Sequence, residues 1–164
     1  VHHGNFLENN WPSDHFDFIT FWDVLEHIDN PKAVLAEIKR VLKPEGYLII
    51  SVPNFNCIHS KLFKQFWFPL AFNAHLHHFS PETLTALLQS CALHPTYLTT
   101  HTLMNPVLHF SLQTWIEELR SQEPNPITTG TLGTLAKFAT LLDKSHLSRL
   151  FSDHLVVHAQ KSHA

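Results

Sequence analysis

The sequence predicts an α/β fold with a parallel core, and three observations carry that prediction. Phe16 to Trp22 and Tyr47 to Val52 are short runs apolar on both faces, the mark of parallel strands covered by helices on either side. Between them lies a segment whose apolar residues recur at helical spacing. Polar residues, among them Asp23, Glu26 and His27, gather where the first run ends, which is where an open α/β sheet places its ligand.

Val1 to Gly4 reads as the end of a strand, and Asn5 to Ser13 as a loop broken at Trp11-Pro12. After the strand Phe16 to Trp22, Asp29-Asn30-Pro31 starts a helix, supplying a side-chain cap and a proline at the first helical position. Val34, Leu35, Ile38, Val41 and Leu42 form its buried stripe, and Lys43-Pro44-Glu45-Gly46 stops it. The crossover into Tyr47 to Val52 should be right-handed. Residues 55–74 break the pattern: Phe63, Phe66, Trp67, Phe68 and Phe72 crowd an irregular stretch around Pro69.

Ser80-Pro81 opens a second helix with Leu84, Leu87, Leu88 and Cys91 inward and Phe79 placed to staple to Leu84. Thr96 to Thr102 is a third strand. From Asn105-Pro106 a helix with Leu108, Leu112, Trp115, Ile116 and Leu119 on one side runs to about Ser121. A polar break spans Glu123 to Gly133, a shorter helix covers Leu135 to Asp143, and Leu155 to Gln160 is the closing strand. Neither repeats nor a dividing linker occur, so residues 1–164 read as a single domain.

Composition narrows the function classes. With 44% apolar and only 15% charged residues, the chain is not disordered, and its surfaces should be unusually apolar, covered in part by an absent segment or a partner. Net charge is −3 and the 11 basic residues are scattered singly, which leaves no stripe for nucleic-acid phosphates. Cys57 and Cys91 lack metal-ligand spacing and read as reduced thiols of a cytoplasmic protein. No apolar run reaches the ~20 residues of a transmembrane segment. The chain opens on Val1 rather than Met, which supports reading it as a fragment.

The words Asp23-Val24-Leu25-Glu26-His27, Arg40-Val41-Leu42-Lys43-Pro44-Glu45-Gly46 and Ser51-Val52-Pro53-Asn54, in this order, closely resemble the middle of a class I S-adenosylmethionine-dependent methyltransferase. The resemblance implies a Rossmann-like sheet of order 3-2-1-4-5-7-6 with its last strand antiparallel. Phe16 to Trp22 would then be the fourth strand, Tyr47 to Val52 the fifth, Thr96 to Thr102 the sixth and Leu155 to Gln160 the seventh. The family's first strand and Gly-x-Gly-x-Gly loop have no counterpart here, so the chain is expected to be the C-terminal part of such an enzyme, with strands one to three largely missing. Alone it should bind S-adenosylmethionine poorly and be inactive.

The resemblance also nominates site residues. Asn5 and Phe6 sit where the family meets the adenine, although Gly4-Asn5 is equally suited to a turn. Trp22, Asp23 and Val24 end the fourth strand along the cofactor edge. Glu26 and His27 either cap the following helix or face the reaction. In the ubiquinone-biosynthesis O-methyltransferases, residues at the places of Asp23, Glu26 and His27 form a divalent-metal site. The spacing by itself is that of an ordinary helix start, and no metal is assigned.

His75-Leu76-His77-His78-Phe79-Ser80 resembles the family's His-x-x-His-Phe-Ser segment, making His27, His75 and His78 candidate general bases. His-x-His-His lacks further zinc ligands at usable spacing. Segments 55–74 and 103–153 exceed the minimal fold and are assigned to a lid, acceptor recognition or a homodimer contact. Their apolar character favours a small-molecule or lipid-like acceptor, while the bland alternative has the aromatics filling the core. The expected function is methyl transfer to a small or apolar acceptor; the alternative is a non-catalytic binding module of the same fold.

Overall fold

The computed structural model describes residues 3–70, 74–101, 107–122 and 152–161. Its elements are β1 (Phe16–Trp22), α1 (Pro31–Val41), β2 (Leu42–Pro53), α2 (Ile58–Phe63), α3 (Pro81–Ser90), β3 (Leu93–His101), α4 (Val107–Gln122) and β4 (His154–Lys161). They build one four-stranded sheet of order β1-β2-β4-β3. β1 and β2 run parallel, with Ile19 opposite Leu48 and Trp22 opposite Ser51, and β4 lies antiparallel to both β2 and β3. This is the order expected of the fourth, fifth, seventh and sixth strands of the family sheet. The polar break 123–133, the helix Leu135 to Asp143, Phe72, Thr102, Asn105-Pro106 and the side chains of Leu108 and Leu119 lie outside the described residues, as do Val1 and His2.

The helix after β1 forms for the reasons its sequence supplies. Asn30 caps it by accepting from the Ala33 amide at 3.1 Å, Pro31 occupies the first turn, and Val34, Leu35, Ile38 and Val41 are buried. Each of those side chains contributes about 1.5–3 kcal/mol of burial. Val34, Leu35 and Ile38 share one core with Leu48, Ile50 and Val52 of β2, Leu155, Val157 and Ala159 of β4, and Leu84 and Leu88 of α3. Ser80 and Thr83 form a reciprocal capping box on α3, and Phe79 joins Leu84 in that core as the staple requires.

Several expectations need correction. β1 is apolar on both faces yet covered on only one. Ile19 and Phe21 pack against the core, while Phe18 is 64% and Trp22 53% exposed. Among the described residues β1 is an edge strand, so nothing lies beyond it. Phe18 makes do with stacking on Tyr47, ring centroids 6.0 Å apart. Residues 3–5 are not strand. β2 begins at Leu42 rather than Tyr47, because the chain leaves α1 already extended and absorbs residues 43–46 in a register shift opposite Phe16 and Phe18. β3 likewise starts at Leu93, with a register shift between Pro95 and Tyr97 that accommodates the proline on an edge strand.

The stretch expected to be irregular contains α2 and two 3-10 turns, Lys64–Phe66 and Phe68–Leu70. Cys57 starts α2, its Sγ accepting from the Ser60 amide at 3.3 Å. Phe63 and Trp67 do fill a core, a second one shared with Leu112 and Ile116 of α4, whereas Trp115, expected inward, is half-exposed and meets Phe63 edge-on.

Gly46 marks the tightest approach. A Cβ there would lie 2.9 Å from Leu42 Cγ, 3.0 Å from the Lys43 carbonyl oxygen and 3.1 Å from that of Asp17. Two of these are backbone atoms held by the β1–β2 ladder. Gly46→Ala should therefore destabilise the fold by about 1–3 kcal/mol, read as a lower urea midpoint; an unchanged midpoint would show that the ladder yields there.

Candidate functional site

At the carboxyl end of β1 the chain turns sharply. Asp23 adopts a left-handed conformation (φ 51°), which aspartate tolerates better than most residues, and its amide donates to the Ser51 carbonyl at 3.0 Å. A single 3-10 turn, Leu25–His27, follows. Leu25 drops into the core, and Glu26, one position on, is 1% exposed. The Glu26 carbonyl accepts two amides of the loop preceding α3, from Leu76 at 2.8 Å and His77 at 3.1 Å. Asn54, just past β2, pairs with Phe79, and the Phe55 amide donates to the Phe79 carbonyl at 2.8 Å. These clips bring the ends of β1 and β2, the histidine loop and the start of β4 to one rim.

Three imidazoles line that rim. His27 and His75 have ring centroids 4.7 Å apart, and His75 and His78 6.4 Å. A carbonyl can only accept, so its imidazole partner must donate. His27 Nδ1 donates to the Ala74 carbonyl (2.7 Å) and His75 Nδ1 to that of Pro69 (2.6 Å), which leaves Nε2 as the lone-pair nitrogen of each neutral ring. His78 is held the other way round, Nε2 donating to Leu70 at 3.2 Å, so its lone pair is on Nδ1. Burial pulls His78 below the ordinary imidazole range, helped by His75 and His77 nearby, though the bond to Leu70 opposes this. It is therefore neutral and able to accept a proton at physiological pH. His77 turns away, bonding the Ile28 carbonyl at 3.0 Å.

The Glu26 carboxyl has no hydrogen-bond partner among the described residues. Burial pushes its pKa up and Asp23 adds to the rise, while its own backbone amide, His27 and His154 oppose it. One ligand atom each from Glu26, His27 and His75 lie within 4.8 Å of one another, so these three can hold a divalent cation. One carboxylate and two imidazoles suit a borderline metal, and the carbonyls behind both rings orient them as ligand supports do. Asp23 is outside this set. Local spacing could not find it, because His75 arrives from 48 residues downstream.

Asp23 instead takes part in an arrangement that the sequence did not suggest. Its Oδ1 lies 3.3 Å from Nε2 of His154, whose Nδ1 is 2.9 Å from Asp153 Oδ1. His154 is 1% exposed and Asp153 fully buried. Burial alone would lower this imidazole's pKa, but hydrogen bonds and charge from Asp153 and Asp23 outweigh it and raise the pKa to about 9. An imidazolium thus ties the first residue of β4 to the turn after β1.

Of the expected cofactor contacts, Trp22, Asp23 and Val24 do stand on the rim, Trp22 and Val24 with 53% and 39% of their surface open. Asn5 caps a 3-10 turn, its Oδ1 accepting from the Leu7 amide at 3.1 Å, which is the turn chemistry weighed against the adenine role. Phe6 packs edge-on against Phe21.

The His154 bridge yields a pH dependence. Its folded pKa is above the unfolded one, so its stabilisation is complete below about pH 6.5 and is lost as pH rises through about 9. Unfolding free energy should decline across that window by on the order of 2–3 kcal/mol, and His154→Gln should flatten the decline. Denaturant titrations from pH 6 to 9.5 check it.

The methyltransferase-domain family profile matches residues 1–93. A ubiquinone biosynthesis O-methyltransferase from Glaesserella parasuis is 43% identical over 42 residues, 26% of this chain and 18% of that protein. Among solved structures, a protein from Galdieria sulphuraria described as a sarcosine dimethylglycine methyltransferase is 20% identical with a TM-score of 0.55, over 99% of this chain and 59% of its own. A SAM-dependent methyltransferase from Archaeoglobus fulgidus is 17% identical with a TM-score of 0.59, over 98% and 67%. Phosphoethanolamine N-methyltransferase 2 of Haemonchus contortus, solved with S-adenosylhomocysteine, is 14% identical with a TM-score of 0.52, over 96% and 36%. The structural likenesses establish a shared fold, of which this chain spans about 59% of the Galdieria protein's length. With the family match over more than half its residues, the chain belongs to the methyltransferase-domain family, whose cofactor is S-adenosylmethionine.

Proposed function

We propose that this chain carries the acceptor side of a methyltransferase, moving a methyl group to a hydroxyl or amine of a small, largely apolar acceptor. The observation that carries the reading is the row His27, His75 and His78, which leads from the rim at Trp22 and Asp23 toward an apolar cavity walled by Phe55, Leu70 and His78. S-adenosylmethionine, when bound, supplies a methyl already activated on a sulfonium. The chain's own part is alignment and proton removal.

Trp22 and Val24 offer apolar surface at the strand end, which fits one side of that cofactor. His78 is the base: it lines the cavity, burial keeps it neutral, and its Nδ1 lone pair is fixed by the bond to Leu70. His75 stands behind it, and His27 closes the row against Glu26. The Glaesserella relative, named for O-methylation in ubiquinone biosynthesis, supports a hydroxyl acceptor. No helix among the described residues is long and apolar enough to cross a membrane.

S-adenosylhomocysteine should raise the melting temperature of the protein, and Trp22→Ala should weaken that shift. His78→Ala should lower kcat about 10²–10⁴-fold with cofactor binding retained. A His78→Ala enzyme with undiminished kcat would remove the base from the proposal, and no response to S-adenosylhomocysteine would remove the activity.

A further inference from the structure

We infer that the cavity beside His78 selects an acceptor with an apolar body and one anionic end, a carboxylate or phosphate monoester; this rests on the methyl-transfer reading. The cavity holds about 710 Å³, in the range of small-ligand sites. Phe55 forms one wall and is fixed by edge contacts to Trp67 at 6.0 Å and His78 at 5.7 Å, and Leu70 shares the lining. Half of the Phe55 ring remains open to solvent, an apolar face that the protein itself leaves uncovered.

Two cations, Lys61 and Lys64, share the lining, and no acidic residue does. In a chain of net charge −3 this is a local reversal of sign. Glu82 lies within the field of Lys61: its carboxyl is held low first by a hydrogen bond from Ser80 and, less strongly, by Lys61. The Lys64 backbone bonds Ser60 and Trp67, but its ammonium enters none of the ion pairs among the described residues, so its charge is available.

Backbone conformation adds an independent observation. Lys64 ends α2 with φ 51° and ψ −117°, a region that favours glycine. A lysine is strained there, and strain of this kind is found where a side chain is needed in one place. An ammonium beside a low-dielectric wall attracts an anion more strongly than it does in open water. The geometry thus separates two ends of one ligand: the anion at Lys64, the group to be methylated at His78.

Calorimetric titration of the full-length protein with dodecanoate, dodecyl phosphate and dodecanol, each below its micellar concentration, tests this. At least one of the two anions should bind about tenfold or more tighter than the alcohol, and which one does so identifies the head group. K61Q/K64G should abolish the preference while leaving dodecanol affinity within about twofold. Because Lys64 occupies a glycine-favouring conformation, the variant should fold at least as well as the parent, which its urea midpoint verifies. Equal affinity for anions and alcohol, or a preference that survives in K61Q/K64G, overturns the inference. Parallel titration with S-adenosylhomocysteine separates the two claims. Cofactor binding without anion preference overturns the cavity's selectivity alone. Anion preference without cofactor binding supports the selectivity and overturns the methyl-transfer reading.

Discussion

The pairing of β2 with β4 is the constraint from which the site follows. Leu48, Ile50 and Val52 on one strand and Leu155, Val157 and Ala159 on the other are buried to the last methyl, so the register between them is set by packing and cannot slip by one residue without turning that whole face outward. In that register Pro53 stands opposite His154. The first residue of β4 is thereby delivered to the rim, one strand away from Asp23, and its imidazole closes the gap with a 3.3 Å contact. The ion-paired histidine would be costly without both carboxylates, because a buried charge must be matched by partners that themselves cannot relax. Here one carboxylate is the residue before it and the other is held by a backbone bond to Ser51.

Much of this was legible from residue types. The two apolar runs, the Asn30-Pro31 start and the Ser80-Pro81 start are local signals whose physics is complete within a few residues, and each element formed where those signals stood. Boundaries at Leu42 and Leu93 moved because strand length is decided by the partner: β4 is long enough to pair Leu93 with Lys161, and β1 to pair Phe16 with Leu42. The family resemblance supplied the strand order, which no periodicity in Leu155 to Gln160 could have revealed. Trp115 was misassigned for a related reason. Helical spacing places it beside Leu112 and Ile116, but those two join Phe63 and Trp67 in the second core while Trp115 stays 40% exposed and only meets the edge of Phe63.

The candidate site was legible as a list of residues and illegible as a set of partnerships. His27, His75 and His78 carried the right chemistry, yet the tautomer of each is set by carbonyls at Ala74, Pro69 and Leu70 that any sequence would provide. Asp153 and His154 lay just ahead of the expected closing strand and gave no signal of their own. Only the sheet brings them to Asp23.

Glu26 shows what such a rim is for. A buried carboxyl whose oxygens make no hydrogen bond, with only His27 Nε2 at 4.0 Å from Oε1 as an ion-pair partner, is expensive in any fold. A helix-start role would have left it at the surface, where the dipole and water stabilise it together. Instead the turn inverts the arrangement: the Glu26 carbonyl binds the histidine loop, and the side chain points inward toward His27 and His154. A group kept in that state can be neutral, or charged and completed by a cation between Glu26, His27 and His75. Both states leave the charge of the rim at the end of β1 adjustable. A fold concerned only with stability would have filled the same volume with leucine.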